Sequence, residues 1–233
     1  MPVVAGSVLV AAVAGWLVGE PMRRRLNRLG YRLEPTAADL TDETSLPDPG
    51  PRRWVPWLLA IAWAGTVAAA LWRSPLGGTG HKDLMATAPN PWWVGGCLAL
   101  STIGLWLAVI DLDVRRLPDQ GQLALAVALL ACGAGLAWGQ PTHLLTGLAA
   151  GVACGLIFLI LHAASRGQLG LGDVKLVLIA GWWLGCQSVT AVYAGLVAAC
   201  LLGVAYALVT RVRTFAFGPW LVAGTLLATW LVR

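Results

Sequence analysis

The chain has 233 residues, of which 58% are hydrophobic and only 12% are charged. Water-soluble domains carry about 25% charged residues, so this composition excludes a soluble globular protein and indicates an integral membrane protein. The net charge of +5 is interpreted as a signal of membrane topology, and no nucleic-acid partner is expected.

Apolar stretches of about 20 residues, each long enough to cross a membrane as a helix, follow one another along most of the chain. The first stretch has no positive charges before it and four arginines after it, so we interpret it as a retained helix and not as a signal peptide. The pattern predicts an all-α, polytopic membrane protein with about eight transmembrane helices. The predicted spans are 2–20, 54–72, 92–110, 121–139, 143–163, 174–187, 189–210 and 218–232.

Basic residues are distributed unevenly between the predicted loops. With the N-terminus outside, loops 21–53, 111–120, 164–175 and 211–217 face the cytoplasm and contain 13 of the 16 Lys and Arg residues. Cytoplasmic loops of membrane proteins carry such an excess of Lys and Arg. We therefore expect both termini outside and a chain embedded in the cytoplasmic membrane.

The five cysteines lie inside or at the edges of apolar stretches, and none forms a Cys-x-x-Cys pair. A structural zinc site or a disulfide framework is therefore not predicted. We interpret the cysteines as small apolar packing residues. They are Cys97, Cys132, Cys154, Cys186 and Cys200.

The first acidic motif stands at the start of the sixth predicted span. Asp173 follows two alternating glycines, Gly170 and Gly172, which allow positive φ and a close approach of another backbone. A carboxylate at the edge of a membrane span costs free energy, and ionisable groups there are candidates for function. The alternative interpretation is a glycine turn in which Asp173 serves as an ordinary N-cap.

The second acidic motif follows the third predicted span and comprises Asp111, Asp113 and Asp119. Asp119, directly after Pro118, fits the N-terminal turn of the next helix. Asp111 and Asp113 fit a cap less well, because an acid at a helix C-terminus opposes the helix macrodipole. Something else must stabilise these two acids, and a functional role is the simplest explanation.

Two neighbouring carboxylates are suited to acid–base chemistry, because one of them retains a proton while the other is ionised. The ionised group can activate a water molecule and the protonated group can polarise a carbonyl oxygen, as in aspartic proteolysis. No serine nucleophile elbow or zinc-protease helix motif occurs in the sequence. The histidines His81, His143 and His162 do not cluster, and His162 is interpreted as a packed or headgroup-facing residue.

Together the two motifs resemble those of the type IV prepilin peptidases, polytopic aspartic proteases of the Gly-x-Gly-Asp type. The resemblance rests on Asp111 followed by Leu117-Pro118-Asp119, and on the stretch from Gly170 to Leu176; it covers about 92–210. It implies that Asp111 and Asp173 are the catalytic aspartates. It implies supporting roles for Asp113, Pro118, Asp119, Gly170, Gly172 and Lys175.

The resemblance also implies what the enzyme acts on and where. We expect it to cleave the leader peptide of prepilins or pseudopilins at the cytoplasmic face of the membrane, just before the apolar stalk helix. On this interpretation 92–233 is the catalytic membrane domain, and 1–91 is an N-terminal membrane segment with two spans and the cytoplasmic loop 21–53. The expected partners are the substrate and membrane lipid, and the oligomeric state is not predicted.

The chain departs from the long members of this family in its first cytoplasmic loop. Those members carry two Cys-x-x-Cys pairs there, whereas loop 21–53 contains no cysteine. Zinc is therefore not expected, and the difference counts against methylation of the new N-terminus. No cofactor is expected, and S-adenosylmethionine would be needed only if methylation is retained. Replacement of the usual Thr-containing turn by Gln120-Gly121-Gln122 is interpreted as a tolerated variation.

Charge gives a further expectation about the substrate. The basic residues Arg115, Arg116 and Lys175 would repel a basic leader, so we assign them to topology and lipid headgroups. Acidic residues within 39–48 are expected to hold the leader instead.

Two other functions are compatible with acids at the membrane edge. A proton-coupled transporter is one, because intramembrane acids mark ion pathways, but no predicted span has an acid near its middle. A catalytically silent scaffold for pilus or secretion assembly is the other, and the presence of acids at both motif positions argues against it.

Overall fold

The computed structural model describes residues 2–31, 50–73, 90–165, 169–211 and 216–232, and within these ranges every regular element is an α-helix. The prediction of an all-α, polytopic membrane protein is confirmed, and the described residues form eight helices at the positions of the eight predicted transmembrane spans. The helices are α1 Pro2–Asn27, α2 Val55–Arg73, α3 Pro91–Val114, α4 Asp119–Leu136, α5 Pro141–Ala164, α6 Leu171–Gly185, α7 Val189–Thr210 and α8 Gly218–Leu231.

Six of these helices are long and apolar enough to cross a membrane, namely α1 to α5 and α7, and α8 is a shorter apolar helix. This finding supports the polytopic membrane fold, while the orientation of the termini stays a prediction. The acidic residues proposed to hold the leader, at 39–48, lie outside the described residues, as does His81.

The helices pack in sequential pairs, with α1 against α2, α5 against α6 and α7 against α8. Helix α3 contacts α2, α4 and α8, and α6 contacts α4 and α8, so α3, α6 and α8 form the centre of the bundle. Trp183 of α6 is fully buried there. It fits because Gly96 of α3 leaves room: a Cβ at Gly96 would lie 2.2 Å from the Trp183 ring.

At one end of the bundle, Arg73 fixes the C-terminus of α8. Its guanidinium donates hydrogen bonds to the carbonyls of Thr229 and Val232 and lies 4.8 Å from the ring centroid of Trp93. A cation at a helix C-terminus pairs with unpaired carbonyls and with the negative end of the macrodipole. Helix α8 is therefore held at this end, and its N-terminus lies at the opposite end with both acidic motifs.

Candidate active site

Asp111 lies in the last turn of α3 and is only 5% exposed. Its Oδ2 atom accepts a hydrogen bond of 3.1 Å from the backbone N–H of Gly218, the first residue of α8. The N-terminus of a helix has unpaired N–H groups and a partial positive charge, and both stabilise an anion. Helix α8 thus supplies the stabilisation that an acid at the C-terminus of α3 lacks.

Asp173 lies in the first turn of α6, three residues after the N-cap Gly170. The backbone of Gly170 is extended, with φ −66° and ψ 141°, and neither glycine of the motif has positive φ. The positive φ that these glycines allow is therefore not used, and the capping position belongs to Gly170 and not to Asp173. What Gly172 provides is close packing, because a Cβ there would lie 3.0 Å from Leu117 Cβ.

The two oxygens of the Asp173 carboxylate have different surroundings. The Oδ2 atom of Asp173 lies beside the Gly170 backbone, 3.5 Å from the position of a Cβ at that glycine. Its Oδ1 atom is buried and has no hydrogen-bond partner among the described residues. A buried acceptor without a donor is uncommon in folded proteins and calls for an explanation. A water molecule or a substrate group would satisfy it.

The structure brings Asp111 and Asp173 together, although they come from different helices. Leu117 lies beside a neighbour of each: its Cδ1 atom is 3.2 Å from the Cβ position of Gly172, which precedes Asp173, and 3.5 Å from that of Gly218, which contacts Asp111. The Asp111 carboxylate is close enough to act electrostatically on Asp173. Two carboxylates that act on each other electrostatically repel when both are ionised, so the pair is suited to hold one proton.

Asp113 has a different environment from Asp111. Its carboxylate accepts hydrogen bonds from Tyr31 Oη at 2.5 Å and from the Arg52 guanidinium at 3.1 Å. Arg52 is 4% exposed and also donates to the Leu26 carbonyl at 2.8 Å. Burial and the Asp113 carboxylate raise the pKa of the Tyr31 phenol, so Tyr31 remains a proton donor. Asp113 therefore joins the end of α3 to the N-terminal helical pair.

Asp119 and Lys175 form an exposed ion pair with an N–O distance of 2.6 Å. Asp119 is the first residue of α4, whose N-cap is Pro118, and Lys175 is in the first turns of α6. More than half of each side chain is exposed, so the pair contributes less than about 1 kcal/mol to stability. Besides the roles in topology and headgroup binding predicted from the sequence, Lys175 thus contacts Asp119.

Four residues of this region were not among the site residues predicted from the sequence. Gly218 contacts Asp111, Gln122 contacts Gly172 through a 3.2 Å hydrogen bond, and Arg52 and Tyr31 contact Asp113. The only available signals were weak ones: Gly218 precedes a proline at a helix start, and Gln122 is an amide in an apolar stretch. Arg52 and Tyr31 flank a polar loop and have no periodicity that would mark them.

The histidines and cysteines lie apart from the paired aspartates. Nδ1 of His162 faces the Leu169 carbonyl at 2.5 Å, and Nδ1 of His143 faces the Cys186 carbonyl at 3.2 Å. All five cysteines are free thiols, and Cys200 is exposed whereas three others are buried. Within the described part of the chain, no three His, Cys, Asp or Glu residues are arranged to hold a metal ion.

Gly218→Ala is expected to reduce any activity of the aspartate pair about 10- to 100-fold, because displacing a catalytic group by about 1 Å can cost that much. A Cβ at this position would lie 2.7 Å from Asp111 Oδ2, so the carboxylate must shift. Gly6→Ala is the matched control, because a Cβ there meets nothing within 4 Å. Equal activity of both variants in a peptide-cleavage assay would show that the Gly218 contact does not matter.

Comparison with known proteins identifies relatives for the central part of the chain. Residues 98–208 match the model of the type IV leader peptidase family. The chain is 33% identical over 135 residues to the prepilin leader peptidase/N-methyltransferase of Escherichia coli (strain K12), covering 53% of this chain and 57% of that protein. It is 34% identical over 149 residues to the type 4 prepilin-like proteins leader peptide-processing enzyme of Escherichia coli O78:H11, covering 59% and 53%.

A third relative is the prepilin leader peptidase/N-methyltransferase of Pectobacterium carotovorum subsp. carotovorum, which is 31% identical over 142 residues, or 55% of this chain and 48% of that protein. The chain thus spans about half the length of the curated relatives it matches. No solved structure matches it significantly.

Proposed function

Since residues 98–208 belong to the type IV leader peptidase family, we propose that this chain is a membrane aspartic endopeptidase. Its proposed substrates are prepilin-like or pseudopilin proteins, from which it removes the leader peptide. The observation that carries the proposal is the meeting of Asp111 and Asp173 from two helices at one end of the bundle. The names of the relatives, which include leader peptidase and leader peptide-processing enzyme, support the substrate class.

In the proposed reaction, one aspartate is ionised and the other is protonated. The ionised carboxylate takes a proton from a water molecule while the water oxygen attacks the carbonyl carbon of the scissile peptide bond. The protonated carboxyl gives its proton to the carbonyl oxygen. As the C–N bond of the tetrahedral diol breaks, the aspartate that took the water proton gives it to the leaving nitrogen. The other aspartate takes a proton from a hydroxyl of the diol, which becomes the new carboxyl group, and the pair returns to its starting state. Because a coupled pair titrates as a unit, neither role is assigned to one residue.

The contacts of the two aspartates suit this chemistry. The Gly218 N–H holds one oxygen of Asp111 in place, which limits the orientations of that carboxylate. The buried Oδ1 atom of Asp173 has no partner among the described residues and is available to a water molecule or to a group of the substrate. A preorganised pair avoids the cost of reorienting groups during the reaction.

The proposed location is the cytoplasmic membrane, with the active site at its cytoplasmic side. The support is the excess of Lys and Arg in the loops at the end of the bundle that carries both motifs. Arg23 and Arg24 lie at this end and pair with Glu20 at 2.6 and 3.0 Å. Segment 92–233 is the proposed catalytic domain, and 1–91 the N-terminal membrane segment.

The proposed activity is cleavage alone, without methylation of the new N-terminus. The support is the absence of cysteine from 21–53, where the long family members carry two Cys-x-x-Cys pairs. The proposed chemistry uses only side chains and water, so it requires neither a metal nor S-adenosylmethionine. Membrane lipid is the proposed surrounding of the helices, whose outward faces expose many large apolar side chains.

The test is co-expression of this chain with a prepilin-type substrate, followed by mass spectrometry of the substrate in isolated membranes. We expect cleavage on the cytoplasmic side, just before the apolar segment, and no cleavage of a substrate expressed alone. The mass of the new N-terminal peptide also reports whether a methyl group is added. An uncut panel of several prepilin-type substrates, with the enzyme present in the membrane, would contradict the proposal and favour the transporter or scaffold alternatives.

Neutralising the acidic residues of the first cytoplasmic loop is expected to weaken substrate binding. Asp39, Asp42, Glu43 and Asp48 would attract a basic leader, so their amide variants should raise KM and make cleavage less sensitive to salt. Initial rates at several ionic strengths measure both effects. Unchanged KM and salt dependence would show that these acids do not bind the leader. Such a result would not bear on the proposed catalytic role of Asp111 and Asp173.

A further inference from the structure

Gln122 is a buried amide beside the proposed catalytic pair. It lies in the first turns of α4 and is 3% exposed. Its Nε2 atom donates a hydrogen bond of 3.2 Å to the carbonyl of Gly172, the residue immediately before Asp173. By helical geometry, the same carbonyl also accepts the N–H four residues later in α6. Gln122 therefore ties the start of α4 to the first turn of α6.

The helices around this hydrogen bond are closely packed, so Gln122 and Gly172 have little room to move. A Cβ at Gly121 would lie 2.4 Å from the Trp106 ring and 2.8 Å from Leu107, so α4 lies directly against α3. A Cβ at Gly172 would lie 3.1 Å from the Gln122 amide nitrogen. Closely packed elements transmit small displacements to their neighbours. A substitution at Gln122 is therefore expected to displace Gly172 and, with it, the carboxylate of Asp173.

Stability alone does not account for an amide at this position. The Oε1 atom of Gln122 is buried and has no partner among the described residues. A buried, unsatisfied polar atom lowers stability, whereas a methionine has a similar length and brings no such atom. The amide thus lowers the stability of the fold. Its useful contribution is that its N–H orients the Gly172 carbonyl.

We propose that Gln122 is a positioning residue, which holds the Gly172 carbonyl and thereby fixes the Asp173 carboxylate relative to Asp111. This inference rests on the proposed function of the aspartate pair. It assigns a specific role to a position at which the sequence suggested only a tolerated variation. Gln122 itself does not contact the reacting atoms in this role.

The test uses Gln122→Met, with steady-state kinetics and thermal unfolding of the purified full chain in detergent. We expect kcat to fall about 10- to 100-fold with little change in KM, and the midpoint of thermal unfolding to stay the same or rise. Gln120→Met is the matched control: this glutamine is exposed in the same turn, and we expect its kcat and Tm to be those of the wild type.

A second variant covers the case in which the methionine variant does not accumulate. Gln122→Asn retains the amide but is one methylene shorter, so it cannot reach Gly172, and its kcat should also fall. Wild-type kcat in either folded variant would overturn the inference, as would a loss of kcat that only follows a loss of stability. Asp173→Asn is measured in parallel, because full activity of that variant would overturn the proposed function itself.

Discussion

Replacing either Asp111 or Asp173 with asparagine is expected to reduce leader cleavage by at least about 10²–10⁴-fold, the usual contribution of a general acid or base. Asparagine has nearly the same size as aspartate, but it can neither accept a proton from water nor deliver one to the carbonyl oxygen. In the proposed mechanism each carboxylate is needed in every turnover, so the single variants and the double variant should be equally inactive. Cleavage of a prepilin-type substrate in membranes, at matched protein levels, measures this.

Glu20→Gln is the control for these variants. Glu20 is another acid at the membrane edge, but it pairs with Arg23 and Arg24 and not with the aspartates, so cleavage should be retained. Full cleavage by both asparagine variants would exclude Asp111 and Asp173 as the catalytic pair. Attention would then move to Asp113 and Asp119, which lie in the same motif.

Replacing Arg52 with methionine is expected to lower the free energy of unfolding by about 3–5 kcal/mol, the usual cost of removing one partner from a buried ion pair. The Arg52 and Asp113 side chains are only 3% and 7% exposed, so water cannot take the place of the guanidinium. The Leu26 carbonyl loses the guanidinium donor as well and, among the described residues, retains only the Leu29 N–H. Denaturant titration of the purified chain in detergent gives the change.

Two further variants separate the ion pair from other effects. Arg53→Met changes the exposed neighbour and should alter the free energy of unfolding by no more than about 0.5 kcal/mol. The double variant Arg52→Met/Asp113→Leu removes both charges and should recover most of the lost stability, because an apolar pair can replace a buried ion pair. Additive losses in the double variant would show that the two residues are not coupled.

The helices of this protein could be predicted from the sequence because the signal for each is local. A stretch of about 20 apolar residues must bury its own backbone hydrogen bonds in a membrane, and only a helix does so within one segment. The predicted spans therefore match all eight observed helices, including the short α6. The ends of the helices were predicted less accurately than their number. Helix α3 continues to Val114 beyond the predicted end at 110, and α6 begins at Leu171 before the predicted start at 174. Asp111 and Asp173 therefore both lie inside helices.

The candidate aspartates could also be chosen from the sequence, because acids at the edges of apolar spans are rare and costly. The reasons for their stability could not. From the sequence, a functional role was the simplest explanation for acids at the C-terminus of α3. In the structure, Asp111 has the N-terminus of α8 as a partner, and Asp113 has Arg52 and Tyr31. These contacts supply stabilisation whether or not the residues are catalytic.

The sequence by itself thus determined the membrane class, the number of helices, the resemblance of about 92–210 to the type IV prepilin peptidases and the two acidic motifs. Only the tertiary structure decided which side chains meet at the site. The Asp111–Gly218, Asp113–Arg52 and Gln122–Gly172 contacts join residues 107, 61 and 50 positions apart. Such contacts depend on how whole helices pack, whereas hydrophobicity and helix formation act along the local chain, and for this reason composition and periodicity do not reveal them.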